Sequence, residues 1–431
     1  MLQTFKNAWK VEDLRKKIIF TMVVLVVFRL GCAIPVPFIR PSAISSMIAA
    51  DSGNMLNYLN MISGGAFANA TLFALGVTPY INSSIIITLL TVAIPYLENL
   101  SKEGEEGRKK IAKITRYIAV VIALILSLGY YFVLKRNNAL IYTEGMTGFF
   151  AAAVIITTFV AGSMLIMWMG EQIDKKGIGN GISLIIFTGI ISRLVPSATT
   201  LIAMVQVGLS GETKYLIMAP LILIFAVLVI AFAVVLNNAE RRIPIQYAKR
   251  VVGRKMMGGQ ATHLPIKVNM SGVMPVIFAS SIMSIPGTIK SFFNIESEIA
   301  NKILGIFDYN GIVYVVGYIL LIIAFNYFYV SMQYNPVEIA NNLRKNNGVI
   351  PGFRPGKMTQ DFIAKVLSRL TFIGAIFLVV VAVLPIITGN ITGTNIQLGG
   401  TSILIVVGVA LEVAQQLESQ MVMRHHKGFL E

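Results

Sequence analysis

Residues 215–236 read YLIMAPLILIFAVLVIAFAVVL, and the loop that follows at residues 237–250 reads NNAERRIPIQYAKR. The first stretch contains no charged side chain and is about as long as a helix must be to cross the ~30 Å hydrocarbon core of a bilayer. The second stretch is polar and basic. Because this alternation recurs along the whole chain, the sequence predicts an all-α, polytopic membrane protein.

Ten apolar stretches are predicted to be transmembrane helices. The chain is 55% hydrophobic and only 13% charged, with a mean hydropathy of +0.74, whereas soluble domains carry about 25% charged residues. The tenth stretch is the weakest, because Glu412 and Gln415 follow its apolar start. The spans are placed at residues 18–34, 73–94, 117–134, 149–169, 182–206, 215–236, 273–291, 312–332, 366–388 and 402–422.

Positive charge is concentrated in every second loop. The formal net charge is +16, from 36 Lys and Arg against 20 Asp and Glu. Cytoplasmic loops of membrane proteins carry an excess of Lys and Arg, so the N-terminus, the loop at 95–116 and the C-terminal tail are predicted to be cytoplasmic. Both termini then lie on one side, which requires an even number of crossings. Composition leaves open whether the excess charge also binds ribosomal RNA or anionic lipid.

Three connecting segments are unusual. Those at about 238–270 and 334–365 are too long and too polar to be simple turns, and they are predicted to protrude and to dock a partner. The segment at about 57–70 is too short to cross a membrane, and its flanks are too apolar for a solvated loop. Such a segment is tolerated at membrane depth only inside protein or beside a water-filled cavity. It is predicted to be a re-entrant half-helix, with a helix lying on the membrane surface as the alternative.

The ten spans divide into two groups of five near Gly211. Channels and transporters are often built from two such halves. The N-terminal half is therefore predicted to cover residues 1–210 and the C-terminal half residues 211–431, as two pseudo-symmetric five-helix units. This symmetry is an expectation from architecture, since the two halves share no evident sequence pattern.

The chain carries no recognisable catalytic or metal-binding motif. Its imidazoles are His263, His425 and His426, in a polar loop and in the tail. Its one cysteine, Cys32, lies in the first span, where it is expected to pack rather than react. Ionisable side chains within the spans are few, whereas ion-coupled transporters need intramembrane carboxylates or broken helices. The sequence predicts a protein that is not an enzyme and that uses neither a metal nor a cofactor.

Ile81 and Ile85 lie one helical turn apart in the second span, with Asn82, Ser83 and Ser84 between them. This spacing gives one helix an apolar contact with wettable positions beside it. Most isoleucine pairs of this kind face lipid or pack against a neighbouring helix. The spacing alone therefore does not assign them to a pore.

Short motifs identify a family. The first long loop contains QYAKR at 246–250 and THLPIKVN at 262–269, and the second contains IPGFRPG at 350–356. Each motif is weak alone, but they follow one order along nearly the whole chain, and together they resemble the SecY family of protein-conducting channels. Further matching motifs are TPYI at 78–81, SIII at 84–87, GRKK at 107–110, GEQI at 170–173, GNGIS at 179–183 and GGTS at 399–402.

The resemblance implies an hourglass channel whose two halves open like a clamshell. Its lateral gate would lie between the helices at about 73–94 and 273–291, and would let signal sequences and membrane segments pass into lipid. The segment at 57–70 matches the plug that seals the channel. The central plug residues are Ser63, Gly64, Gly65, Ala66 and Phe67.

The resemblance also implies a pore ring at the waist of the hourglass. Branched aliphatic side chains from several helices form a gasket that fits around a translocating chain and dewets against ions when closed. The matching residues are Ile81, Ile85, Ile186, Ile277 and Ile405.

The two long loops match the surface on which the SecA motor ATPase or the translating ribosome docks. Arg354, within IPGFRPG, matches the position on which this coupling depends most, and its guanidinium suits a carboxylate or a phosphate of ribosomal RNA. The alternative is that these charges only keep the loops in the cytoplasm. The other docking candidates are Lys249, Arg250, Arg254 and Lys255.

The function implied is a bacterial plasma-membrane channel that translocates unfolded preproteins and inserts membrane proteins. The expected partners are the SecE and SecG subunits, SecA, the ribosome, signal sequences and membrane lipids. The first alternative is a secondary transporter of small solutes, which predicts a charged binding site in the middle of the membrane. The second is an intramembrane enzyme, which predicts paired catalytic side chains.

Overall fold

The computed structural model describes residues 2–40, 60, 63–210, 213–247, 250–252, 255–257, 261–292, 304–305, 311–392 and 400–427. The longer helices in these residues are α1 (Leu2–Lys10), α2 (Glu12–Gly31), α3 (Thr78–Ala93), α4 (Pro95–Lys102), α5 (Glu105–Arg136), α6 (Gly145–Lys176), α7 (Gly181–Ser192), α8 (Leu194–Leu209), α9 (Thr213–Asn238), α10 (Met274–Phe292), α11 (Ile312–Gln333), α12 (Pro336–Lys345), α13 (Lys357–Thr392) and α14 (Gly400–Lys427). The strands are β1 (Glu240–Tyr247), β2 (Arg250–Val252), β3 (Lys255–Met257), β4 (Ala261–Lys267) and β5 (Gly348–Val349).

All ten predicted spans fall on helices. Seven helical stretches among the described residues are long and apolar enough to cross a membrane, and the bent pair α3–α4 makes an eighth. The first and seventh spans fall on α2 and α10, which do not meet that criterion. α2 begins with Glu12, Asp13 and Arg15, so its apolar part is shorter than the helix. The prediction of an all-α chain with many spans is confirmed.

Prolines explain where the second span departs from its predicted bounds of 73–94. α3 begins only at Thr78, with Pro79 in its first turn, and residues 73–77 form turns. At the other end Ile94 is extended, with φ −109° and ψ 114°, because the residue before a proline avoids the helical region. The chain therefore turns by 100° into α4.

A proline also divides the fifth span, which is predicted as one helix over 182–206. Pro196 has no N–H to donate to the carbonyl of Ser192, which is the last residue of α7. Arg193 separates α7 from α8 with φ −88° and ψ −6°. The two helices nevertheless form one apolar stretch, Gly181–Leu209.

Helices that follow each other in the chain mostly pack side by side. α3 lies against α5, α5 against α6 and α8 against α9, while α10 and α13 both lie against α11. The last helix is different, because α14 packs on α7 and also on α9. It therefore joins the two groups of five predicted spans.

Two glycines allow α6 and α7 to cross closely. A Cβ on Gly181 would overlap the carbonyl group of Gly170. The Gly181 N–H donates to Asp174 Oδ1 at 2.7 Å, and the Asn180 side chain caps α7. The motif GNGIS at 179–183 thus forms the start of α7, which packs closely against α6.

The two long loops form one folded unit, which we call the sheet body (β1, β4, β5, α12 and the first turns of α13). β1 pairs antiparallel with β4 along its length, and its end pairs with β5 from the second loop. The sequence predicts two separate protrusions. In the structure the two loops form one sheet, because β1 of the first loop pairs with β5 of the second. Buried apolar side chains of both loops and of the adjoining helices fill one core, among them Ile243, Ile245, Ile266, Leu343, Ile350 and Ile363.

The glycine crossing gives a stability prediction. Gly181→Ala should destabilise the protein by about 2–3 kcal/mol, because the added methyl group meets main-chain atoms that cannot rotate away. Thermal unfolding of the purified chain in detergent measures this. Gly317→Ala is the matched control, since its Cβ would meet only the tip of Met283 at 3.4 Å. Equal midpoints for the two variants would contradict the crossing.

Candidate functional site

The five isoleucines predicted to form a pore ring converge in one buried cluster. Two of them stand on α3, and α7, α10 and α14 contribute one each, so the set joins four helices. None is more than 7% exposed. A pore ring requires such long-range positions to share one cluster, and the ring itself stays a prediction. The five are Ile81, Ile85, Ile186, Ile277 and Ile405.

Among the described residues, the same cluster contains six further buried isoleucines that the sequence prediction did not name, and Ile190 is one of them. Ile190 lies one turn after Ile186 on α7, and it is 4% exposed. Residues four apart stand on the same face of a helix. The pair Ile186–Ile190 therefore repeats the spacing of Ile81–Ile85, and that repetition is the sequence pattern that identifies it.

Hydroxyl groups beside these isoleucines bond within their own helix. Ser83 Oγ donates to the Tyr80 carbonyl at 2.8 Å, and Thr88 Oγ1 donates to the Ser84 carbonyl at 2.7 Å. Such bonds satisfy the hydroxyls locally. These two hydroxyls therefore need no partner from another helix.

The plug segment, residues 57–70, is described at Asn60 and at 63–70. Asn60 is helical, but 63–70 form consecutive turns in place of the predicted half-helix. The remaining positions, 57–59 and 61–62, lie outside the described residues. The prediction of a non-spanning segment in front of α3 agrees with the described part, and its helical character is seen only at Asn60.

Glycines and side-chain bonds shape the described turns. Gly64 and Gly65 have φ of +65° and +91°, a region that costs glycine little. Ser63 Oγ donates to the Asn60 carbonyl at 3.2 Å and accepts from the Phe67 N–H at 3.1 Å. The plug segment is therefore internally bonded without being a regular helix.

The plug segment contacts both the isoleucine cluster and the helices around it. Ala66 belongs to the same buried cluster as the five isoleucines. Phe67 belongs to a second cluster with Tyr130 of α5 and Phe159 of α6. Its ring centroid lies 4.4 Å from that of Tyr130, and Tyr130 Oη donates to the Phe67 carbonyl at 2.6 Å.

The predicted lateral-gate helices, α3 and α10, contact each other. A cavity of about 210 Å³ lies beside the plug segment between α3, α5 and α10. Phe67, Ile125 and Ile289 give it apolar walls, and Asn82 and Ser284 supply polar groups. The cavity therefore offers an amphipathic but mainly apolar space where the gate helices meet.

Arg354 lies exposed on a stiff turn between β5 and α13. Gly352 and Gly356 flank it with φ of +87° and +108°. The ring of Phe353 packs at a tilt of 33° against that of Phe362 of α13, with ring centroids 4.2 Å apart. Within the described residues no carboxylate forms an ion pair with Arg354. Its guanidinium is therefore exposed to solvent on a turn whose backbone is held by its neighbours.

The other basic docking candidates are described less fully. Arg250 and Lys255 lie on β2 and β3, which pair as a short antiparallel hairpin after β1. Lys249 and Arg254 lie outside the described residues. The docking role of all four stays a prediction.

Buried polar groups tie the segment between β4 and α10 to the neighbouring helices. Ser271 Oγ, just before α10, donates to Asn326 Oδ1 on α11, and Asn326 Nδ2 donates to the Thr371 carbonyl of α13 at 2.8 Å. α13 begins in the sheet body and continues as a span. One buried hydrogen-bond network thus joins α11, α13 and the segment that leads into α10.

A second polar link joins α5 to α6. Arg116 Nε and Nη2 donate to the two carboxylate oxygens of Glu171 at 2.6 and 2.7 Å. A guanidinium and a carboxylate bonded through two parallel hydrogen bonds fix direction as well as distance. The pair therefore orients the ends of two helices that pack around the plug segment.

Comparison with known proteins gives a consistent result along the whole chain. A family model for SecY matches residues 71–414. The protein translocase subunit SecY of Bacillus licheniformis is 44% identical over 100% of both chains. The subunit of the same name from Thermotoga maritima is 44% identical over 100% of this chain and 98% of its own, and that from Mycobacterium tuberculosis is 40% identical over 100% of both.

Solved structures share the fold. A structure described as that of a protein conducting channel covers 95% of this chain and 93% of its own, with a TM-score of 0.64 at 19% identity. A second, described by the role of the SecY plug domain in the closed state, covers 95% and 92%, with a TM-score of 0.64 at 20% identity. Sec61 in a canine ribosome–channel complex covers 95% and 93%, with a TM-score of 0.60 at 19% identity.

The ring contact beneath Arg354 can be tested by hydrogen exchange. Phe353→Ala should speed amide exchange across the turn at 352–356 by roughly fivefold, because it removes an aromatic contact of about 1 kcal/mol. Phe372→Ala is the control, because Phe372 is 52% exposed on the span part of α13. Unchanged exchange in Phe353→Ala would show that the glycines and the α13 start fix the turn without the ring contact.

Proposed function

The chain belongs to the SecY family, and we propose that it is the channel-forming subunit of a bacterial protein translocase. It translocates unfolded preproteins across the plasma membrane and inserts membrane proteins into it. The solute-transporter alternative is not supported, because relatives that align over the whole chain are protein translocase subunits. The family assignment rests on those relatives and on the match over residues 71–414.

One observation carries the channel mechanism. Five isoleucines from four helices share a buried cluster, and the plug residue Ala66 joins it. Aliphatic side chains offer no polar group to replace the hydration shell of an ion, so a narrow pore that they line dewets when empty. Flexible aliphatic side chains also adapt to the varied residues of a passing polypeptide.

The lateral gate lies between α3 and α10. Their contact and the adjacent mainly apolar cavity support this assignment. An apolar signal sequence would enter between these helices, where it exchanges water for apolar walls. The N-terminal half, residues 1–210, and the C-terminal half, residues 211–431, then separate along this line.

The sheet body is the docking site for SecA or the ribosome. Arg354 supports this, because it is exposed, lacks an ion-pair partner in the described chain and stands on a turn held by a ring contact. A guanidinium on such a turn can bind a carboxylate of SecA or a phosphate of ribosomal RNA. Arg250 and Lys255 on the hairpin add positive charge to the same loop.

The location and the partners follow from the family and the charge pattern. The chain is a multi-pass protein of the bacterial plasma membrane with both termini in the cytoplasm. SecE and SecG subunits associate with it, and membrane lipids surround it. The basic N-terminus and the basic sheet body support one cytoplasmic side for both.

Reconstitution tests the proposal directly. Liposomes that contain this chain with SecE and SecG should protect a secretory preprotein from external protease when SecA and ATP are added. Omitting ATP is the control. Transport of a small solute along an ion gradient, without preprotein protection, would contradict the channel assignment.

The pore ring makes a second prediction. Ile81→Ser or Ile277→Ser should raise the resting ion conductance of the reconstituted channel severalfold, because a hydroxyl lowers the cost of wetting the constriction. Planar-bilayer recording measures it. Ile86→Ser is the matched control, because Ile86 lies on the same helix and is 41% exposed. Equal conductance in all three variants would remove the isoleucines from the pore.

The docking site makes a third prediction. Arg354→Glu should lower SecA-dependent protection of the preprotein by roughly tenfold or more, equivalent to at least about 1.4 kcal/mol, because charge reversal repels an anionic partner. Lys365→Glu, an exposed position on α13 in the same loop, is the control. Normal translocation by a correctly inserted Arg354→Glu variant would show that docking lies elsewhere.

A further inference from the structure

Two side chains from neighbouring helices bond to main-chain oxygens of the plug segment. Tyr130 of α5 is fully buried, and its Oη donates to the Phe67 carbonyl at 2.6 Å. Its ring also stacks on the ring of Phe67 at 4.4 Å. Hydroxyl and ring thus contact the same plug residue in two independent ways.

The second donor is Arg29, in the last turn of α2. Its Nη1 donates to the Gly64 carbonyl at 3.3 Å. A cation is favoured at this position, because the carbonyl end of a helix carries partial negative charge. The bond is longer than that from Tyr130, and it is expected to contribute less.

Close contact sets the position of the plug segment between these donors. A Cβ on Gly64 would lie 2.9 Å from the Cα of Gly189 on α7 and 3.1 Å from Arg29 Nη1. The plug segment therefore sits directly against a pore-lining helix at a point where no side chain fits. Loss of the bond from Tyr130 leaves the buried Phe67 carbonyl without a partner, which is costly, whereas the bond from Arg29 is only partly buried.

From this geometry we propose that Tyr130 and Arg29 are positioning residues that hold the plug segment in its sealed position. The inference rests on the proposed channel function and assigns the control of the plug to specific donors on α5 and α2. Both donors stand outside the isoleucine ring and outside the gate contact.

The cavity beside Phe67 suggests the event that would move the plug segment out of its sealed position. Phe67 forms part of the cavity wall together with residues of α3 and α10, the gate helices. An apolar segment that enters the cavity contacts the same residue that Tyr130 holds. Displacement of the Phe67 ring would separate it from the Tyr130 ring. It would also weaken the hydrogen bond from the Tyr130 hydroxyl to the Phe67 carbonyl.

Thiol labelling tests the proposal by measuring plug exposure without any transport. The reporter is Ala66→Cys in a Cys32→Ala background, because Ala66 is 1% exposed and Cys32 is the chain's one cysteine. A membrane-impermeant methanethiosulfonate reagent labels the reporter when the plug segment moves away. Tyr130→Phe should raise the labelling rate about 3- to 10-fold, as expected for loss of one buried hydrogen bond. Arg29→Met should raise it by less.

Two controls separate positioning of the plug from general loosening of α5. Tyr131→Phe changes the next residue of the helix and should leave the rate unchanged. A second reporter, Ala123→Cys, is buried on α5 itself, and Tyr130→Phe should not expose it. Equal labelling of Ala66→Cys with and without Tyr130→Phe would overturn the proposal, as would equal acceleration at both reporters.

Conductance and translocation by the same variants separate the proposed role of Tyr130 from the proposed channel function. If the protein is a channel, Tyr130→Phe should also raise the resting conductance, and replacing residues 63–68 by a Gly–Ser linker of equal length should abolish this difference. Faster labelling in a protein that fails to translocate any preprotein would support the role of Tyr130 and contradict the channel function. Normal translocation with unchanged labelling would support the channel function and contradict the role of Tyr130.

Discussion

Inside a bilayer no water is present to bond the main chain, so any stretch that is not helical must find its partners in the surrounding protein. Most of this chain meets the requirement with helices. The turns at 63–77 meet it through neighbours: the Val36 N–H donates to the Ala70 carbonyl at 3.0 Å, and the Leu72 N–H donates to the Ile34 carbonyl at 2.9 Å. The same requirement explains why the described turns of the plug segment at 63–70 contact α2, α5 and α7.

The sheet body obeys a different constraint, because its polar side faces water. Strands with alternating buried and exposed residues suffice there, and β1 brings the two long loops into one unit. Its mechanical link with the membrane part is α13, which runs from the docking turn into the bundle. Asn326 bonds to the membrane part of α13 and to the segment between β4 and α10, so a buried polar contact ties that connecting segment to two helices of the bundle.

Features that depend on local composition were predictable from the sequence, and features that depend on long-range contacts were not. An uncharged run such as 215–236 forms a span whatever its neighbours are, and α9 covers it. The start of α3 and the break at Arg193 follow from prolines whose positions were visible but were not used. Ile243 and Ile245 alternate with polar residues as a strand requires, yet their partners lie about 20 and 100 residues further along the chain. The isoleucine positions came from the family resemblance, whereas Tyr130 bonds to a residue 63 positions away that no local pattern indicates.

The bonds from Tyr130 and Arg29 end on main-chain oxygens, which every amino acid carries. A change of side chain at Phe67 therefore leaves the acceptor in place, and only Gly64, against the backbone of Gly189, is limited by space. On the proposed roles of these donors, a change of side chain at Phe67 costs the ring stack alone, whereas a non-aromatic residue at position 130 costs the stack and the hydrogen bond together. The larger part of the seal therefore lies in the helices around the plug segment.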